Sequence, residues 1–180
     1  ASVHAMDSLF NLDSTDAILL VDASNAFNSL NRAAALHNVP ILCPALGQVF
    51  KNTYKSPSRL FVTGGGEILS REGTCQGDPL AMAIYAVAIM PLINSLSTQC
   101  PNTTQIWYAD DDSAAGTVSN VFDYWSTLSE IGPEYGYNPN ASKTVLLVKE
   151  ARADDARRIF SGTGISIVTE GCRYLGGALG

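Results

Sequence analysis

An aspartate, Asp22, closes the apolar run Ala-Ile-Leu-Leu-Val at 17–21, and far along the chain Asp110, Asp111 and Asp112 stand together. Carboxylates gathered in one place repel: at an effective dielectric of about 20, a pair roughly 4 Å apart costs about 4 kcal/mol, which protonation or a divalent cation removes. Hard oxygen donors suit Mg²⁺, with Mn²⁺ as the alternative, because such an ion keeps open positions for water and substrate phosphates. Two such ions about 4 Å apart stabilise both the attacking and the departing oxygen of a phosphoryl transfer. Taken singly, each acid has an ordinary reading, since aspartate is common in turns and at strand ends.

What gives these acids weight is the set of elements that would carry them. The continuous apolar run 17–21 has the form of a buried strand that delivers Asp22 at its C-terminal end. Residues 105–109 read as a short strand, 110–112 as a tight turn and 113–117 as the return, a hairpin with acids at its tip. Adjacent strands would bring Asp22, Asp110 and Asp111 to one edge of a sheet.

Around them, 25–36 has helix composition stopped near Pro40, and 44–54 fits a second helix. Residues 59–62 and 67–70 flank Gly64-Gly65-Gly66 as a hairpin. The stretch 78–96 reads as a helix with Pro79 in its first turn, where a missing N–H costs little; its interior lacks charge, so it should be mostly buried. An amphipathic helix over 118–131 and a strand over 144–148 follow. The order is an α+β plan with a mostly antiparallel sheet and packed helices.

Composition bounds the function. With 180 residues, 46% of them hydrophobic, the chain is long enough for one domain with its own core. Its net charge of -6 repels phosphate backbones, the opposite of the basic footprint of a self-sufficient nucleic-acid binder. Cys43, Cys75, Cys100 and Cys172 are too scattered for a zinc site or a redox pair and suit a reducing, intracellular setting. The N-terminal residues lack the basic and apolar regions of a signal peptide. The apolar stretch 79–96 carries Pro91 and Asn94 and reads as a buried helix, so no membrane partner is expected. Hydrophobic runs recur up to the last residues, as in a piece of something longer.

Several stretches, in order, resemble the reverse transcriptases, the RNA-directed DNA polymerases. Asp22-Ala23-Ser24-Asn25-Ala26-Phe27 resembles the family's motif A, Gly73-Thr74-Cys75-Gln76-Gly77-Asp78-Pro79-Leu80 its motif B, and Tyr108-Ala109-Asp110-Asp111 its Tyr-x-Asp-Asp box, motif C. Residues 136–144 with Lys143 are similar to motif D, and Tyr174-Leu175-Gly176 to motif E. The resemblance covers about residues 15 to 180. It implies a polymerase palm with a ferredoxin-like core over 1–180, with most of the fingers and the whole thumb outside it. The expected partners are an RNA template, a DNA primer and deoxynucleotides, in cytoplasm or nucleus.

The resemblance assigns roles residue by residue. Asp22 and Asp110 would hold two Mg²⁺ ions, with the main-chain carbonyl of Ala23 assisting and Asp111 as a less direct ligand. Phe27 takes the place of the ring that crowds a ribose 2′-OH; as an ordinary residue it would be core on a first helical turn. Gln76 and Gly77 would lie against the nucleotide and template, glycine allowing close approach and the amide offering hydrogen bonds. Lys143 would donate a proton to the departing pyrophosphate, or else be a solvated surface lysine. Tyr174, Leu175 and Gly176 would form a primer grip, or else a buried pair beside a glycine turn.

Asn28 stands where many relatives carry another acid, and Asp112 extends the usual pair of acids. The Gln-Gly-Asp-Pro-Leu form leans toward retrotransposon enzymes of the non-LTR kind. Two rival readings keep the motifs: a folded but inert retroelement remnant, and another palm-like enzyme such as a nucleotide cyclase. A plain α+β binding module would leave the clustered acids without a role.

Overall fold

The computed structural model describes residues 1–75 and 77–180. In chain order its elements begin with α1 (Ser2–Phe10), β1 (Ala17–Val21), α2 (Ala26–Ser29), α3 (Arg32–Leu42) and α4 (Pro44–Tyr54). They continue with β2 (Ser58–Val62), β3 (Gly66–Ser70), α5 (Ala81–Gln99), β4 (Thr104–Tyr108), β5 (Asp111–Gly116) and α6 (Val118–Ile131). The last are β6 (Val145–Val148), α7 (Ala153–Ile159), β7 (Ser166–Val168), β8 (Cys172–Tyr174) and β9 (Gly177–Leu179). Contacts divide the chain into two compact units, the first made of Ala1–Ala23, Ser95–Glu130 and Pro139–Gly180, the second of Ser24–Asn94 and Ile131–Asn138.

The first unit is built on a five-stranded sheet in the order β4-β5-β1-β6-β7. Every pairing is antiparallel except that of β6 with β7. β1 is central because it can be: all five of its residues are apolar and all are buried, as a strand covered on both faces requires. By strand alternation Ile18 and Leu20 share one face. They join Met6 of α1, Ala115 of β5, Leu147 of β6, and Tyr174 and Leu179 of the β8–β9 ribbon in one core cluster. Truncating Ile18 to Ala there would cost about 2–5 kcal/mol.

The second unit holds α2 to α4, the β2–β3 hairpin and most of α5. Gly47 lets α4 approach α3: a Cβ at this position would lie 2.4 Å from the Cα of Pro40. The hairpin pairs Val62 with Gly66, so Gly66 begins the second strand and only Thr63, Gly64 and Gly65 turn.

Several boundaries differ from the sequence expectation. The helix expected over 25–36 is two helices broken at Leu30, whose φ −47, ψ 124 is extended, and Asn31 caps the second by accepting from Ala34 N at 3.0 Å. Pro40 does not stop that helix but lies inside its last turn. The helix expected from residue 78 starts at Ala81, because Asp78 precedes it as a cap, Oδ1 accepting from Leu80 N at 2.8 Å. Nor is α5 mostly buried: 33% of its apolar window is, with Ile84, Ala88, Leu92 and Leu96 buried at helical spacing while Met82 and Met90 are exposed. By length and composition alone this helix could cross a membrane, a test that core helices also pass.

The acidic hairpin is shifted too. Tyr108 pairs with Asp111, so the loop is Ala109-Asp110 alone, and Asp111 and Asp112 are the first residues of β5. Such a short loop requires φ > 0, supplied here by Ala109 at φ 56.

Candidate active site

The first unit gathers most of the expected residues at one sheet edge, and strand register explains how. Val21 pairs with Asp112 and Leu20 with Val145. Continuing each antiparallel ladder past its last pair brings Asp22 level with Asp111 on one side and with Lys143 on the other. The side chains confirm the second meeting, with Lys143 Nζ 3.5 Å from Asp22 Oδ1. Beyond it, Asn140 N donates to Asp22 O at 2.8 Å and Ala23 bridges Pro139, fixing the chain as it leaves the sheet.

The electrostatics point to the first meeting. The Asp111 carboxyl is raised above the usual carboxylate range, first by burial and then by the charges of Asp110 and Asp22. Asp22 Oδ1 is out of solvent contact and accepts no hydrogen bond among the described residues. Asp22, Asp111, Lys143, Arg173 and Leu175 line a cleft of about 150 Å³.

Asp112 differs. It follows Asp111 in β5, so its side chain takes the opposite face, where it is 1% exposed. Tyr124 of α6 lies 2.9 Å from both of its oxygens and 3.1 Å from Gln105 Oε1. Burial outweighs that hydrogen bond and pushes the Asp112 carboxyl up to about 8. The proton count agrees. One tyrosine hydrogen serves one acceptor at a time, and a protonated Asp112 can donate to the phenol, releasing the phenol proton to Gln105. Asp112 is among the residues that line the cleft, but its carboxyl is buried against Tyr124.

The Tyr174-Leu175-Gly176 stretch sits beside the cleft with its parts separated. Tyr174 is 6% exposed, and its hydroxyl is 2.9 Å from Ser113 Oγ in the core. Leu175 and Gly176 make the two-residue loop of the β8–β9 ribbon, both at positive φ (47 and 79). Leu175 has no glycine freedom at such an angle, a local strain of the kind that gathers at functional sites. Arg173, which sequence reasoning passed over, brings an exposed cation to a cleft of acids. Its position directly before the motif-E resemblance was the available signal.

Phe27 and Gly77 belong to the second unit. Phe27, half-buried on α2, packs on the ring of Tyr85 with centroids 4.6 Å apart. Gly77 is exposed at φ 93, and nothing lies within 4 Å of a Cβ built there. Gln76 lies outside the described residues. The Tyr54 hydroxyl donates to Asp78 Oδ2 and accepts from Cys75 N at 3.0 Å. Burial, then the Asp78 hydrogen bond, pushes it up to about 12.

The donors at the acid edge are all carboxylate oxygens, and one is buried without a hydrogen-bond partner. That chemistry fits a hard divalent cation. The side chains as they stand are not drawn into a cage: among the described residues no group of three or more His, Cys, Asp or Glu is placed to hold a metal ion.

No family model matches the sequence, and no curated protein does. Solved structures do match the fold. Telomerase from Candida tropicalis, in an apo form truncated from its C-terminal domain, superposes with a TM-score of 0.54 at 12% identity over 83% of this chain and 34% of that one. Telomerase from Candida albicans, in complex with a fragment of telomeric RNA, gives 0.52 at 13% identity over 94% and 30%. The chain thus spans about a third of the length of each. The architecture is a mixed α+β fold with an antiparallel-rich sheet and packed helices. Over the matched residues it is the fold of these telomerase structures.

Proposed function

We propose that this chain is the catalytic core of an RNA-directed DNA polymerase, adding deoxynucleotides to a primer 3′-OH under the direction of an RNA template. The observation that carries this reading is the register that sets Asp22 level with Asp111 and Lys143 at one edge of the five-stranded sheet. Asp22, the Ala23 carbonyl, Asp110 and Asp111 would hold two Mg²⁺ or Mn²⁺ ions, which when bound neutralise charge on the entering and departing oxygens. Lys143 Nζ carries the proton for the departing pyrophosphate. Phe27 excludes a ribose 2′-OH by a clash, and Gly77, bare of side chain, lets the nucleotide approach the backbone. Arg173 offers the acidic cleft a counter-charge for substrate phosphate. The Gln-Gly-Asp-Pro-Leu form leans toward the non-LTR retrotransposon type.

A second reading, a folded but inert descendant, draws on the acids not being grouped to hold an ion as they stand. Primer extension separates the two. The full-length protein is given an RNA template, a DNA primer, dNTPs and Mg²⁺, beside an Asp110→Asn variant whose circular dichroism matches the parent. Extension by the parent and loss of about a thousandfold or more in the variant support the polymerase. A folded parent that extends nothing supports the remnant.

A further inference from the structure

Among its described residues, the segment 71–80 forms neither helix nor strand, yet its backbone is tied down on both sides of the exposed Gly77. Arg32, at the start of α3, is 4% exposed and makes the first tie. Its Nη1 donates to Ser70 O at 2.8 Å, Nε to Gly73 O at 3.1 Å, and Nη2 to Glu72 O at 2.7 Å, Gly73 O at 3.0 Å and Ser70 Oγ at 3.1 Å. Glu72 answers by accepting from Arg32 N at 2.9 Å. A buried guanidinium is costly unless its donors are matched, and here a rigid planar fork meets a row of carbonyls that an ammonium could not span.

Tyr54 makes the second tie. Its hydroxyl holds Cys75 N before Gly77 and Asp78 Oδ2 after it, and Asp78 in turn caps α5. The two anchors touch, with Arg32 Cζ 5.2 Å from the centre of the Tyr54 ring. The segment they hold is itself stitched to α2: Thr74 N donates to Phe27 O at 2.8 Å and Gly73 N to Leu30 O at 2.9 Å. Gly73 sits so close that a Cβ would lie 2.4 Å from the carbonyl oxygens of Phe27 and Asn28. Phe27 and Gly77 are therefore referenced to one support, as a preorganised binding surface requires.

We infer that Arg32 and Tyr54 are positioning residues for nucleotide selection, holding Phe27 and Gly77 so that a deoxyribose is admitted and a ribose refused. This rests on the polymerase reading above. The test is single-nucleotide extension by the full-length protein, with kcat and KM measured for a dNTP and the matching rNTP. Tyr54→Phe keeps the ring under Arg32 and removes its hydrogen bonds; Arg32→Lys keeps the charge and removes the fork. Val39→Ala, a buried truncation in α3 outside this network, serves as the stability control.

Both variants lower the dNTP-over-rNTP ratio of kcat/KM, by about tenfold for Tyr54→Phe and more for Arg32→Lys, while Val39→Ala leaves the ratio alone. Variants that remain active with an unchanged ratio overturn the inference, as does an equal shift in Val39→Ala. Should Arg32→Lys fail to fold, Tyr54→Phe decides alone. A parent that does not extend at all shows the polymerase reading to be at fault, and the selection role falls with it.

Discussion

Lys143 Nζ stands 3.5 Å from Oδ1 of Asp22, at the register position that faces it across β1 and β6. Both side chains are substantially exposed, 63% and 41%, so the pair adds little to stability. Lys143→Gln is expected to change unfolding free energy by no more than about 0.5 kcal/mol. If Nζ delivers a proton to the departing group, the same change lowers single-turnover extension about a hundredfold. A denaturant melt beside a single-turnover assay checks both; a rate within a factor of about two of the parent makes Lys143 a surface residue.

Asp112 makes stability depend on pH. Its carboxyl is raised by burial to about 8 from an ordinary value of 3.8. The folded state therefore keeps a proton that the unfolded chain releases. Stability from this group is fully present below about pH 4, falls as pH rises, and is lost by about pH 8. Asp112→Asn, nearly the same shape and never charged, should flatten that slope. Urea melts at pH 5 and pH 8 should show the parent losing on the order of 1–3 kcal/mol more than the variant between them. Parallel slopes would mean that Asp112 is charged in the folded protein.

These relations were only partly legible in the sequence. The run 17–21 announced a buried strand because nothing in it tolerates water, and so Asp22 was found at its end. The place of Asp112 was missed because one residue of turn length decides which face of a strand an acid takes, and Ala109 carries no glycine-like sign of its positive φ. Pro40 was read as a helix stop, although a proline late in a helix gives up one hydrogen bond without ending it. Arg32 gave no signal at all: its acceptors are backbone carbonyls about forty residues away, which side-chain patterns do not record.

Two glycines at similar backbone angles should respond differently to alanine. At Gly136 (φ 78) a Cβ would lie 1.9 Å from Ser29 O and 2.4 Å from Asn31 N, so Gly136→Ala must displace backbone. A loss of about 3 kcal/mol or more is expected in a thermal melt. At Gly77 (φ 93) the space is open, and alanine meets only the angular strain, about 1 kcal/mol. Gly77→Ala should thus fold and yet raise KM for the nucleotide, because its methyl projects where the proposed substrate approaches. A folded variant with unchanged KM would remove Gly77 from the binding surface.

Ala109 holds the acidic tip in a conformation that its own side chain opposes. At φ 56 a residue with a Cβ carries roughly 1 kcal/mol of strain, which glycine would not. Ala109→Gly relieves that strain and also frees the unfolded chain, so its midpoint should stay level or rise by an amount worth up to about 1 kcal/mol. The same freedom loosens the loop beside Asp110, and if Asp110 is the metal-holding carboxylate proposed above, a displacement of about 1 Å loses rate steeply. The expectation is a protein as stable as the parent whose extension rate is about tenfold lower, with faster amide exchange confined to 108–111. If rate and exchange both hold steady, the strain at Ala109 is incidental to the hairpin and plays no part in aiming its acids.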